Sequence, residues 1–469
     1  MSDIYSYENE KIEGKFWLPG CSENPVPGYF IFGDGWPRIE LIGSVAESLP
    51  GGVFGANVGK IPVVYGLLSG RLWHVSLVNG TVVSSKIDSF EHGNFEREKL
   101  VFDYAVQGDY VSGSDEEYLE AKFSIDNLTK WVGRSGLMWK GKDGEEEFNF
   151  RYVFPEFESI NLSGDLGELC FDQYLTKGVP DLSGVKISTE TWAHANFNSG
   201  MREFDIKSKL CWPMVSLLSL MYSDECQLQK LEVKKDGDSK WLKMIGYGKS
   251  RGSKKDRFAP CLMGFPQLGS EGLAGWIEAS ERLSPLPVIL SNSLRDKSLE
   301  GNFVQLAFSA EGLHRRCFDG QNKISKAKKR SVTRALNKLD IGKEERNSII
   351  GAWNIYLWNY SFPERLMMLA EEVSEFIPGV CGDKKEWKKA VAVSRNGLAH
   401  ALSSLDLQGS DIEKYIVLTR SLQWVILCKI LIESGVDSAV LKDSFSDYQP
   451  FIQFQIDAKN FYPSVYSSA

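Results

Sequence analysis

The sequence predicts a multidomain α+β protein, with a β-rich, sandwich-like N-terminal region followed by an all-α C-terminal helical bundle. Three observations carry this expectation. The chain has 469 residues, more than one core usually supports. Of its 43 glycines, 33 fall in the first 300 residues, where they separate short runs of alternating apolar residues. From Leu299 onward the apolar spacing changes to three or four residues and stays helical for most of the remaining chain.

The β-rich part is expected to span residues 1–155. Pro27-Gly28 opens a turn, and 29–32 and 38–42 read as a hairpin about Gly33-Asp34-Gly35. Runs at 63–68, 72–77 and 82–83 continue it, with turns at Ser69-Gly70 and Asn79-Gly80. A further strand pair flanks Asp143-Gly144. Residues 156–295 read as a mixed regulatory or sensing domain: 187–192 and 204–206 look extended, and Trp212–Tyr222 reads as a short buried helix with Pro213 in its first turn. The basic loop 248–257 is either a solvated surface loop or one that touches RNA.

Residues 296–469 form the third expected domain. Phe303, Leu306, Ala310, Leu313 and Cys317 mark one apolar stripe. Later helices are expected at 326–339, 343–358, 361–377, 384–404 and 411–434, joined by short links as in an antiparallel bundle. Ser361 is the cap and Pro363 the first-turn proline of one of them.

Composition narrows the function classes. The eight Cys are far apart with no Cys-x2-Cys pair, so neither a disulfide framework nor a zinc site is expected, and no metal or cofactor is assigned. The acidic N-terminus lacks the features of a secretory or basic targeting segment, 212–222 is too short to span a membrane, and 415–432 contains Arg420 and Lys429. A cytoplasmic protein without a membrane partner is expected. Net charge is −8, yet residues 301–469 carry 22 Lys and Arg against 19 Asp and Glu, so any anionic partner would contact the C-terminal part locally.

The chemistry concentrates at Arg395-Asn396-Gly397-Leu398-Ala399-His400. Arg offers a fixed cation for a phosphate, and a neutral His can move a proton at cellular pH. Such a pair suits transesterification of RNA, in which the 2′-OH attacks its own phosphate. His400 would act as base or acid, Arg395 would stabilise the phosphoryl charge, and Asn396 would bond the phosphate or orient His400. Five residues of ideal helix turn about 500°, so Arg395 and His400 would point about 140° apart. Either the helix begins or bends in the motif, which Gly397 permits, or a second copy of the chain completes the site. The plainer alternative is a surface ion pair for Arg395 and a satisfied imidazole for His400. Glu311, one step from the apolar stripe, either pairs inward with Arg395 or stays exposed beside His314 and Arg315. Lys323, Lys326, Lys328, Lys329, Arg330 and Arg334 form the densest basic run, either an RNA-binding surface or a solvated helix face.

The segments Phe303–Arg316, Ser361–Leu369 and Arg395–His400 resemble, in order and spacing, the HEPN domain of ApeA-like proteins, and Gly14–Gly20 with 61–66 looks like the N-terminal domain that accompanies it. The resemblance implies a bacterial anti-phage ribonuclease that halts growth of the infected cell. It implies a bundle that forms a homodimer or higher oligomer, bringing two Arg-x4-His motifs together. By position it assigns Arg395, Asn396 and His400 to the nuclease motif, Glu311 to the acidic residue of the first helix, and Arg365 to a structural role. RNA, with tRNA among the candidates, would be the substrate, and the N-terminal part would sense a phage-derived trigger. Two other readings stay open: a HEPN module that binds RNA or protein without cutting, and a carbohydrate-active β-sandwich with a helical appendage.

Overall fold

The structure is a computed structural model that describes residues 4–45, 60–70, 73–90, 93–140, 149–177, 187–237, 240–248, 260–295, 298–318, 323–353, 359–399 and 409–467. His400, most of the basic loop 248–257, the Asp143-Gly144 turn and Trp358 lie outside the described residues.

The chain forms two compact units, one of residues 1–212 and 227–258 and the other of 213–226 and 259–469. These bounds differ from the expected divisions near 155 and 295. For the division near 155 the reason is strand pairing: strands from the expected middle domain hydrogen-bond to strands from the expected first one.

In the first unit, β1 (Ile12–Trp17), β2 (Val26–Gly33), β3 (Gly35–Ile42), β4 (Ile61–Leu68), β5 (Trp73–Phe90) and β6 (Gly93–Val101) close into a six-stranded antiparallel barrel. The β-rich expectation holds, and its form here is a closed barrel rather than stacked sheets. Closure depends on the long β5. Its first half pairs with β4 and with β7 (Tyr104–Gln107), and its second half pairs with β6. The turn expected at Asn79-Gly80 is not a turn; Asn79 adopts a φ of 56° inside the strand. That single left-handed residue lets the strand bend around the barrel. A Cβ on Gly80 would stand 2.5 Å from the Phe102 ring, so only glycine fits the bend. Pro27-Gly28, also expected in a turn, lies within β2. Phe16, Phe30, Ile39, Val64, Val75 and Leu100 meet in the barrel core.

From β7 the sheet continues through β15 (Leu242–Ile245), β14 (Leu228–Lys234), β8 (Glu117–Ile125), β13 (Ile187–Arg202), β12 (Glu168–Lys177) and β11 (Ile160–Asn161). A separate pair, β9 (Leu137–Lys140) and β10 (Asn149–Tyr152), flanks the Asp143-Gly144 segment as expected. Alternation sends Leu169, Phe171, Ala193, Ala195, Ala121 and Phe123 to a buried face, beside Trp131 of the short helix α1 (Leu128–Val132). Residues 204–206, expected to be extended, belong instead to helix α2 (Glu203–Ile206), where Glu203 and Asp205 suit the positive end of the helix.

The second unit is helical. Its first piece, α3 (Trp212–Tyr222), is the expected short helix, buried from Pro213 to Tyr222. It packs under α4 (Phe265–Arg282), whose Trp276 Nε1 donates to Pro213 O at 2.9 Å. Then follow α5 (Leu286–Ser293), α6 (Leu299–Cys317), α7 (Lys326–Leu336), α8 (Lys343–Ala352), α9 (Phe362–Val373), α10 (Lys384–Ala399), α11 (Gly409–Glu433), α12 (Ser438–Ser446), α13 (Gln449–Phe461) and α14 (Pro463–Tyr466). The expected stripe Phe303, Leu306, Ala310 and Leu313 is the buried face of α6, which packs on α11, α9 and α10. Helix α11 is long and apolar enough to cross a membrane over Ile412–Glu433, but 72% of that window is buried in the unit. Its Arg420 pairs with Asp457 and its Lys429 with Glu372 and Glu433. The aromatic tail packs on the bundle: Phe451, Phe454 and Tyr466 are buried, and Tyr466 OH donates to Val380 O at 3.3 Å.

Candidate active site in the helical unit

Helix α10 carries Arg395 and Asn396 near its C-terminal end, and the helix neither begins nor stops at Gly397. Trp387 anchors it: the indole is fully buried and donates to Ser421 Oγ at 2.8 Å, and Ser421 in turn donates to Val380 O at 2.7 Å. Three groups hold the Arg395 guanidinium. Phe308 of α6 lies beneath it at 4.7 Å and Phe362 of α9 at 5.1 Å, both centroid distances within range of a cation–π contact. Glu311 Oε2 stands 3.8 Å from Nη2, close enough for charge attraction and too far for a hydrogen bond. Nη1 donates to Asn396 Oδ1 at 3.3 Å, and Nε is buried with no partner among the described residues. A cation fixed by ring faces and one loose carboxylate keeps much of its donor capacity for an incoming anion.

Glu311 serves two arginines, since its Oε1 also accepts from Arg315 Nη2 at 2.7 Å. One turn later on the same helix, His314 is buried, stacked on Phe318 at 4.4 Å and edge-on to Tyr360. Arg365 of α9 donates from Nη1 to His314 Nδ1 at 3.1 Å and from Nε to Tyr360 O at 3.0 Å. Burial lowers the His314 pKa to about 4, helped by the charges of Arg365, Lys429 and Arg315. The ring is therefore neutral at cellular pH and serves as a latch between α6 and α9.

At the start of α9, Ser361 and Glu364 form a reciprocal capping box, and Lys323 pairs with Glu364. Those bonds hold the Glu364 pKa down to about 2. Lys323 is thus tied to the bundle, whereas Lys326, Arg330 and Arg334 follow at four-residue spacing along an exposed stripe of α7, with Lys328 and Lys329 beside them. Helix α7 buries no residue, and its first turn, capped by Ser325, holds three lysines and no acid. The structure thus brings Arg395, Asn396 and Glu311 together, and sets the α7 charges on a separate helix.

Phe308, Phe362 and the His314–Arg365 latch were missed by sequence reasoning. Phe308 stands three residues before Glu311 and so shares its helix face, which is the signal that could have found it.

Residues 11–261 match the family model described as ApeA N-terminal domain 1, and residues 304–440 match the one described as Apea-like HEPN. No curated protein and no solved structure matches the chain. The first match covers the barrel and the sheet that extends it, and the second covers the helices that bring Glu311, Arg365 and Arg395 together. With more than half of its length in the first match alone, the chain belongs to the ApeA-like HEPN family of anti-phage defence nucleases.

Proposed function

We propose that the helical unit is an endoribonuclease that cuts RNA by attack of a 2′-OH on the adjacent phosphate, and that it acts in the cytoplasm of an infected cell. The O2′–P bond forms as the P–O5′ bond breaks, leaving a 2′,3′-cyclic phosphate and a 5′-OH. Arg395 binds the phosphoryl oxygens as their charge grows, and His400 moves the proton. Asn396 accepts from Arg395 and its amide can donate to the same phosphate. Glu311 orients Arg395 and touches no substrate. This chemistry needs a 2′-OH, so DNA survives, and we propose that it proceeds without a divalent ion.

The observation that carries the reading is the Arg395 guanidinium, seated against the Phe308 and Phe362 rings, with Asn396 Oδ1 alone accepting a hydrogen bond from its Nη groups among the described residues. Helix α10 runs without a break from Lys384 to Ala399, so it neither begins nor stops at Gly397, which supports a homodimer in which a second copy of the chain completes each site. The lysine-rich first turn of α7 would draw in an RNA backbone, with tRNA one candidate, since no acid there offsets its charge. The N-terminal unit would sense a phage-derived trigger and restrain the nuclease until then.

The test is to incubate the full chain and its Arg395→Ala and His400→Ala forms with total RNA in EDTA, beside an infection assay. Cleavage to 2′,3′-cyclic ends by the native protein, lost together with protection in both variants, is the expected result. Protection that survives in both variants would overturn it and favour a module that binds RNA or protein without cutting.

A further inference from the structure

The outer face of the extended sheet in the first unit holds a group that the nuclease reading does not use. Cys170 and Asp172 lie two residues apart on β12 and so point to the same side. Cys170 is the direct cross-strand partner of His194 on β13, which brings the third side chain onto that face. One ligand atom from each of the three lies within 4.8 Å of the others. Sequence reading assigned no metal because the three come from two strands and lack the paired-cysteine spacing that announces a zinc module.

Its surroundings are ordered as those of a metal site are. His194 turns Nδ1 to Asp172 Oδ2 at 3.0 Å, and its other nitrogen, Nε2, lies 3.2 Å from Glu120 Oε2 on β8. Glu120 is itself held by Lys234 Nζ at 2.7 Å. The Trp241 indole closes one side of the imidazole, edge-on at 5.3 Å. A metal-bound histidine nearly always gives its second N–H to a carboxylate, a backbone carbonyl or a water, which fixes the ring and raises its basicity. Here that carboxylate is already in place. All three donors are half-buried, within reach of an ion from solvent.

We propose that Cys170, Asp172 and His194 bind one zinc ion, with a water in the fourth position and Glu120 holding His194 from behind. One thiolate, one imidazole and one carboxylate make a donor set of the type that zinc takes, and three protein ligands leave one position open to solvent. Binding releases the proton shared around His194 Nδ1 and the thiol proton of Cys170 to solvent. The site is independent of the helical unit's chemistry.

The test uses the full chain carrying Arg395→Ala, so that no outcome depends on RNA cleavage. The protein is stripped of metal, freed of any affinity tag and titrated with Zn2+ against a chromophoric chelator, then with Co2+. One Zn2+ per chain is expected, with a thiolate-to-cobalt charge-transfer band. Cys170→Ser should abolish the band, and His194→Gln should abolish stoichiometric binding. Glu120→Gln should keep the band and weaken zinc affinity by about 10- to 100-fold. Asp172→Asn is the second ligand variant should either of the first two change the circular dichroism spectrum. Absence of stoichiometric zinc, or binding that none of these substitutions alters, would overturn the proposal and leave the group as a histidine ion-paired between two carboxylates.

Discussion

Arg365 crosses from α9 to α6 and donates from Nη1 to His314 Nδ1 at 3.1 Å. A guanidinium has only donors, so Nδ1 must be the acceptor and the imidazole proton sits on Nε2, which faces Met368 Sδ at 3.2 Å. A protonated ring would lose this bond and set two cations against each other in a buried place.

Acid should therefore destabilise the helical unit through His314. In the unfolded chain the ring takes its proton near 6.5, whereas in the fold it resists until about 4. Stability from this residue is complete above 6.5 and is lost as pH falls toward 4. Between pH 7 and pH 4.5 the loss should be roughly 2 to 3 kcal/mol. Urea unfolding of the native protein and of His314→Gln at both pH values tests this. The glutamine keeps an acceptor for Arg365, so its stability should fall less over the same interval.

Lys429 fastens a second seam. Its ammonium is buried and bonds Glu372 at 2.6 Å and Glu433 at 2.8 Å, with the Phe318 ring at 4.9 Å. Burial works against its charge, but the two carboxylates outweigh this and raise its pKa. Lys429→Met should cost about 3 kcal/mol, because it leaves two facing carboxylates without their shared cation. The denaturant midpoint should drop with the slope unchanged.

Phe308→Ala should loosen Arg395 without unfolding α6, since the phenyl ring is 48% exposed. A cation–π contact of about 1 kcal/mol corresponds to a roughly fivefold slower cleavage of RNA. Glu311→Gln should lower cleavage by about tenfold as Arg395 loses its electrostatic anchor, while RNA affinity holds or rises because a negative charge has gone. Single-turnover rates and binding measured side by side separate these effects.

Charge reversal along α7 should act on affinity instead. Lys326→Glu, Arg330→Glu and Arg334→Glu should each weaken RNA binding and lower the slope of log affinity against log salt by about 0.7 for every phosphate no longer neutralised. Cleavage by saturated enzyme should stay within about twofold of native, since α7 supplies none of the groups that meet the reacting phosphate. An unchanged salt slope in all three would mark the stripe as an ordinary solvated face.

What the sequence by itself determined is local. Glycine-punctuated alternation marked the strands, a spacing of three or four residues marked α6, and Ser361 with Pro363 marked the start of α9, because backbone periodicity and capping act within a turn or a strand. The Arg395-Asn396 pair was legible for the same reason, as was the placement of Glu311 one step from the apolar stripe of its helix. Tertiary structure decided what depends on distant partners. The bend at Asn79 became a barrel closure, not a hairpin, only because the second half of β5 found β6. Phe308 and Phe362, 54 residues apart, clamp Arg395 only once α6, α9 and α10 pack together. Cys170 and His194 meet only through the register of β12 with β13. Such contacts are selected by burial and by the pairing of whole elements, which no window of neighbouring residues encodes.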